Sequence, residues 1–147
     1  MSTSYTVYSK GDPLAVQSVV EKFLGLALLP PEGLATGRVL HGEVFGMAIT
    51  FDPAHDIADD MGIAFSQFPA SVEFARSGAQ DDSELRDELG RVVALLLGRH
   101  LYRVTGLENM VVRDDQTVVE RNPRREAGDP SMTPQSNRRH HRNPKDR

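Results

Sequence analysis

The stretch from Asp81 to Glu120 constrains the fold more than any other part of the chain. Leu85, Leu89, Val92, Val93, Leu96 and Leu97 recur at helical spacing, which predicts one long amphipathic helix from Asp81 to about Arg99 or His100. Its stripe is expected to lid the hydrophobic core. Asp81, Asp82 and Glu84 complement the positive end of the helix dipole; Arg91, Arg99 and His100 place positive charge late, as the dipole prefers. Gly90 and Gly98 each weaken such a helix by about 1 kcal/mol relative to Ala, although Gly90 also permits close packing on a sheet. Met110–Val112 and Thr117–Val119 then flank residues 113–116 at hairpin spacing.

The preceding residues supply the partners for that helix. Tyr5–Tyr8 is a short β-favouring run. Asp12 and Pro13 read as a helix cap and first turn. Val16, Val19, Val20, Phe23 and Leu24 form one apolar face, and Gly25 is the stop, so a first helix is predicted over Pro13–Leu24. Arg38–Phe51 alternates like one or two strands, with Gly42 and Gly46 marking a turn or bulge. Residues 52–62 read as an exposed acidic loop, and Ile63–Phe68 leads into a strand at Ser71–Ala75. The predicted architecture is α+β: a mostly antiparallel sheet of about four to six strands with two helices packed on one face. Expected core positions are Val7, Val16, Val19, Val20, Phe23, Val44, Ile49, Val72, Phe74, Leu85, Leu89, Val92, Val93, Leu96, Leu97, Val111 and Val118.

Charge divides the chain. Residues 1–120 carry 9 Lys/Arg against 18 Asp/Glu, and residues 121–147 carry 8 against 3, so a body of −9 precedes a segment of +5. Beyond Pro123 the second segment has only Ala127 and Met132 as apolar residues and cannot bury enough surface to order itself. The expected organisation is a single domain over 1–120 and a disordered basic tail over 121–147. The absence of Cys removes disulfides, thiol nucleophiles and Cys-type zinc sites. No signal-peptide pattern and no run near the ~20 residues of a membrane span occur. The expectation is a cytoplasmic protein without membrane association.

Candidate functional residues concentrate in the acidic loop: Asp52, His55, Asp56, Asp59 and Asp60. A like-signed cluster steers opposite charge, so a cationic protein partner is the expected ligand. The spacing matches neither an EF-hand loop nor HExxH, and no metal or cofactor is expected. His41 and Glu43 share a strand face and are the nearest thing to an acid/base pair. The sequence lacks GxSxG, SxxK and a phosphate loop, so no catalytic residue is assigned and an enzyme is the least favoured class. In the tail, Arg138, Arg139, Arg142 and Lys145, with His140, His141 and Arg147, offer nonspecific phosphate contacts, without aromatic side chains for base stacking.

Phe65, Phe68, Pro69 and Phe74 spell FxxFPxxxxF at the start of a strand, followed by a capped helix and the hairpin through Val111 and Val118. Over roughly residues 5–120, this order of elements resembles small bacterial immunity-type proteins found beside polymorphic or contact-dependent toxins, and uncharacterised actinobacterial relatives. The resemblance implies a non-enzymatic binding protein that neutralises a basic protein through an acidic surface. It carries no catalytic residues with it. The alternative is a small nucleic-acid-associated or plasmid or phage regulatory protein acting through its basic tail.

Overall fold

The structure is a computed structural model and describes residues 3–76 and 83–123. Asp81, Asp82 and the basic residues Arg138, Arg139, Arg142 and Lys145 lie outside the described residues. Element order is β1 (Tyr5–Ser9), α1 (Pro13–Leu24), β2 (Leu40–Val44), β3 (Met47–Asp52), a short 3-10 turn (Phe65–Gln67), β4 (Ala70–Arg76), α2 (Ser83–Thr105), β5 (Asn109–Arg113) and β6 (Val118–Asn122). The strands form one six-stranded antiparallel sheet in the order β2-β3-β4-β1-β5-β6. This is the α+β architecture expected, with β1 in the interior of the sheet. β6 runs to Asn122, so the domain takes in Arg121 and Asn122, which charge alone had assigned to the tail. Asn122 is held there by donating its amide to Asn109 Oδ1 at 3.0 Å.

Local chemistry sets the ends of α1. The Asp12 carboxylate accepts from the Ala15 N–H at 3.2 Å, and Gly25, at φ 72°, closes the helix through its N–H to the Glu21 carbonyl. Val16 and Val20 are buried against Val7, Ile49, Phe51, Val72, Phe74 and Val111 of the sheet. Because strand side chains alternate, these residues lie on one sheet face, and both helices cover it.

α2 corrects the sequence reading twice. It continues past His100 to Thr105 and ends at Gly106, whose φ of 72° and N–H bond to the Tyr102 carbonyl make the stop. His100 is therefore interior to the helix, and its ring packs on Phe23 with centroids 5.3 Å apart. The face on the sheet is also different. Ala94, Leu97 and Leu101 are buried, whereas Leu85, Val92 and Leu96 are 64%, 37% and 48% exposed. The reason is the pair of glycines. A Cβ at Gly98 would stand 3.1 Å from both Asn109 Oδ1 and Val111 Cγ2, so the helix approaches the sheet along its Gly90–Ala94–Gly98 side. Leu85 and Leu96 are turned outward.

The connection 53–69 leaves β3 and crosses the sheet's other face. Ile63, Phe65 and Phe68 form a second core with Tyr8, Met110 and Val112. The FxxFP pattern thus has a packing explanation: Phe65 and Phe68 seal this face, while Phe74 points to the helices. The loop covers one end of the face over β1 and β5 and leaves the part over β2, β3 and β4 open.

Candidate functional site

That face carries the polar residues of four adjacent strands. The pairing aligns His41, Thr50, Glu73 and Thr6 in one lateral row, and Asp52, Ser71 and Tyr8 in the next. Neighbouring strands lie about 4.8 Å apart, so each row is a closely spaced line of hydroxyl, carboxyl and imidazole groups. Where the chain leaves β3, Asp52 Oδ1 accepts from the Ala54 N–H at 3.0 Å and pairs with Arg38 at 3.1 Å. This turn lifts His55, Asp56 and Ile57 into a wall. Together the rows and the wall enclose a cleft of about 200 Å³, floored by Thr6, Tyr8, Thr50, Ser71 and Glu73.

His55 is committed to building that wall. Its backbone N–H donates to the Pro69 carbonyl at 3.1 Å. Its Nδ1 receives the Ile57 N–H at 3.1 Å, and its Nε2 meets the Phe68 carbonyl. A backbone N–H can only donate and a carbonyl can only accept, so Nδ1 serves as the acceptor and Nε2 as the donor. The ring edge also rests on Tyr8, centroids 5.3 Å apart. With both nitrogens engaged, His55 offers neither a general base nor a metal ligand. It ties the start of the connection to its end.

The five candidate residues do not form one surface. Asp52, His55 and Asp56 meet at the cleft, where Glu73 joins them. Asp59 and Asp60 sit in a separate turn around a shallow depression of about 400 Å³ with Met61 and Ile63. There the Asp59 carboxylate accepts the Ser66 N–H at 2.9 Å, a bond that holds its pKa below the usual carboxylate range. Asp60 pairs through its backbone with Ile63. Glu43 and His41 are exposed on the same open sheet face but outside the cleft lining. Among the described residues no three His, Asp or Glu side chains converge as a metal-binding group, and no helix is long and apolar enough to cross a membrane.

Two floor residues are polar yet deeply buried. Tyr8 is 7% exposed and Ser71 is 8% exposed. Ser71 makes no side-chain hydrogen bond among the described residues. Burial raises the Tyr8 pKa, the Glu73 carboxylate raises it further, and the neighbouring Thr6 hydroxyl opposes both. The phenol is therefore held neutral beside a carboxylate. Asp56 and Glu73 have no ion-pair partner among the described residues, so the cleft combines acceptor oxygens and negative charge without an internal cation beyond Arg38. Comparison of the chain with protein-family models, curated proteins and solved structures returns no match.

Sequence reasoning missed Thr6, Tyr8, Thr50 and Ser71, and raised Glu73 only as a possible extension of the acidic loop. The available signal was three polar pairs at i, i+2 on successive strands: Thr6 and Tyr8, Thr50 and Asp52, Ser71 and Glu73. A sheet face that carries such pairs on adjacent strands is a polar floor, but only the strand order shows that the strands are neighbours.

Proposed function

We propose that this chain is a non-enzymatic binding protein of the immunity-like class. Its acidic sheet face receives a basic protein partner, and one cationic side chain of that partner enters the cleft between Asp56 and Glu73. The observation that carries this reading is the convergence of Asp56 and Glu73, two carboxylates without ion pairs among the described residues, on a cleft floored by the Tyr8 and Ser71 hydroxyls. A guanidinium presents five donors in a planar fork and suits a site made of carboxylate and hydroxyl oxygens. The −9 charge of residues 1–120 supports steering of such a partner over longer range.

The test uses the native protein and a Glu73→Lys, Asp56→Lys double variant as paired baits in lysate of the native host. Circular dichroism first checks that the variant is folded. The expected result is a basic protein held by the native bait, released by salt, and absent from the variant. Equal recovery by both baits, or recovery of no basic protein, refutes the proposal. A second reading rests on the +5 charge of residues 121–147, which suits nonspecific phosphate contacts. Gel-shift binding that vanishes on deletion of that segment favours it; absent or salt-insensitive binding removes it.

A further inference from the structure

The outward face of α2 carries an apolar seam that the fold does not use. Leu85, Leu89, Val92 and Leu96, followed by Arg99 and Arg103, are spaced 4-3-4-3-4 along the helix. This is the a/d spacing of a coiled-coil seam. It lies on the helix side away from Gly90, Ala94, Leu97 and Leu101, which face the sheet. Leu85, Val92 and Leu96 are among the larger exposed apolar side chains of the protein. Among the described residues nothing covers them, and the residues outside the described ranges contribute only Met1, Ala79, Ala127 and Met132 as apolar side chains.

We infer that α2 pairs with α2 of a second copy of this chain, antiparallel, about a two-fold axis near Val92 and Leu96. Charge selects both the occupant and the direction. In a parallel pair, Arg99 and Arg103 would each meet their own copies inside the seam. In an antiparallel pair, Arg103 lies across from Leu85 and next to Glu84, and Arg99 lies across from Leu89 and next to Glu88. The arginine stems then cover leucine while their charged heads reach the acidic end of the other helix. The same helix thus supplies both halves of the complementarity, as an isologous interface requires. Within one copy Arg99 already bonds to Glu120 and Glu88 to Arg91, so these pairs exchange on assembly, whereas Arg103 and Glu84 have no ion pair among the described residues. The seam spans about three heptads, so the interface is small and its assembly depends on concentration.

Sedimentation equilibrium on the full chain, from micromolar to about millimolar protein, tests the inference. The apparent mass should rise from 16.2 kDa toward twice that value. A Val92→Glu, Leu96→Glu variant alters only outward-facing positions and should keep the native circular dichroism while remaining at the monomer mass throughout. Direction is read by crosslinking, which is clean because the chain has no Cys. An equimolar mixture of Val92→Cys and Leu96→Cys proteins should oxidise chiefly to the mixed disulfide. A native chain that stays monomeric across the range overturns the inference. So does a dimer that survives Val92→Glu, Leu96→Glu, or crosslinking that yields chiefly Val92→Cys and Leu96→Cys homodimers.

Discussion

Replacing His55 with alanine isolates the structural role of a residue that, in sequence, looked like part of a ligand site. The change removes the Nε2–H bond to the Phe68 carbonyl, the acceptor for the Ile57 N–H, and the edge contact with Tyr8. A half-buried hydrogen bond contributes about 1 kcal/mol, and an aromatic edge contact at least ~0.5 kcal/mol. The expected loss is therefore about 2 kcal/mol, or a fall in Tm of roughly 6–10 °C for a domain of this size. Urea unfolding followed by circular dichroism measures it. Limited proteolysis should show new cleavage within residues 53–62, because the far end of the connection stays anchored by Phe65 and Phe68. His55→Gln keeps a donor near the Phe68 carbonyl and should recover about half of the loss. If His55→Ala leaves the unfolding midpoint unchanged and the connection uncut, the ring is not a structural tie, and its two bonds contribute nothing measurable.

Other positions give sharper contrasts. Tyr8 should ionise above the ordinary tyrosine value of 10.0 in an ultraviolet titration, and Glu73→Gln should lower that step by removing the adjacent negative charge. Because the folded phenol is held above its unfolded pKa of 10.0, the associated stability is complete below that value and is lost as pH rises through the folded pKa; Tyr8→Phe should flatten this alkaline decline in Tm. Gly90 and Gly98 should respond oppositely to alanine. At Gly90 the added methyl meets only ordinary contacts, nearest 3.7 Å, so the helix-propensity gain of up to ~1 kcal/mol should appear in urea unfolding. At Gly98 it meets Asn109, which is locked by bonds to the Gly98 carbonyl and Asn122, and the variant should lose about 1–2 kcal/mol net. Phe45 is 72% exposed at φ 53° in the β2–β3 turn, a position that favours Asn; Phe45→Asn should raise Tm by a few degrees, corresponding to about 0.5–1 kcal/mol.

The fold was legible where local pattern and packing agree. The Asp12–Pro13 cap, the Gly25 stop and the alternation through Met47, Ile49 and Phe51 each have one physical outcome. α2 was legible as a helix but not in its orientation. The stripe through Leu85, Val92 and Leu96 and the side through Gly90, Ala94 and Gly98 offered two competing faces, and sequence hydrophobicity favours the former. The sheet selected the glycine side because closeness of approach, rather than apolar area, decided the contact at Asn109 and Val111. The candidate site was half legible for a related reason. Asp52 and Asp56 announced themselves as an acidic loop, while Glu73, Ser71 and Tyr8 are ordinary strand residues until β3, β4 and β1 become neighbours. His55 could not be read from sequence at all, since its partners are backbone groups at Ile57 and Phe68.

The interior position of β1 has a consequence for how the chain is made. Val7 pairs with Val72 on one side and Val111 on the other, so β1 leaves the ribosome before both of its neighbours and is among the last strands to be completed. At about 5–20 residues per second, roughly 5–20 s separate the synthesis of Val7 from that of Val111. Throughout that interval Tyr5, Val7 and Tyr8 have no finished sheet to enter. Such long-range pairing places refolding in the slower, millisecond-to-second class. It also leaves nascent β1 exposed to chaperones and to pairing with other unfinished chains.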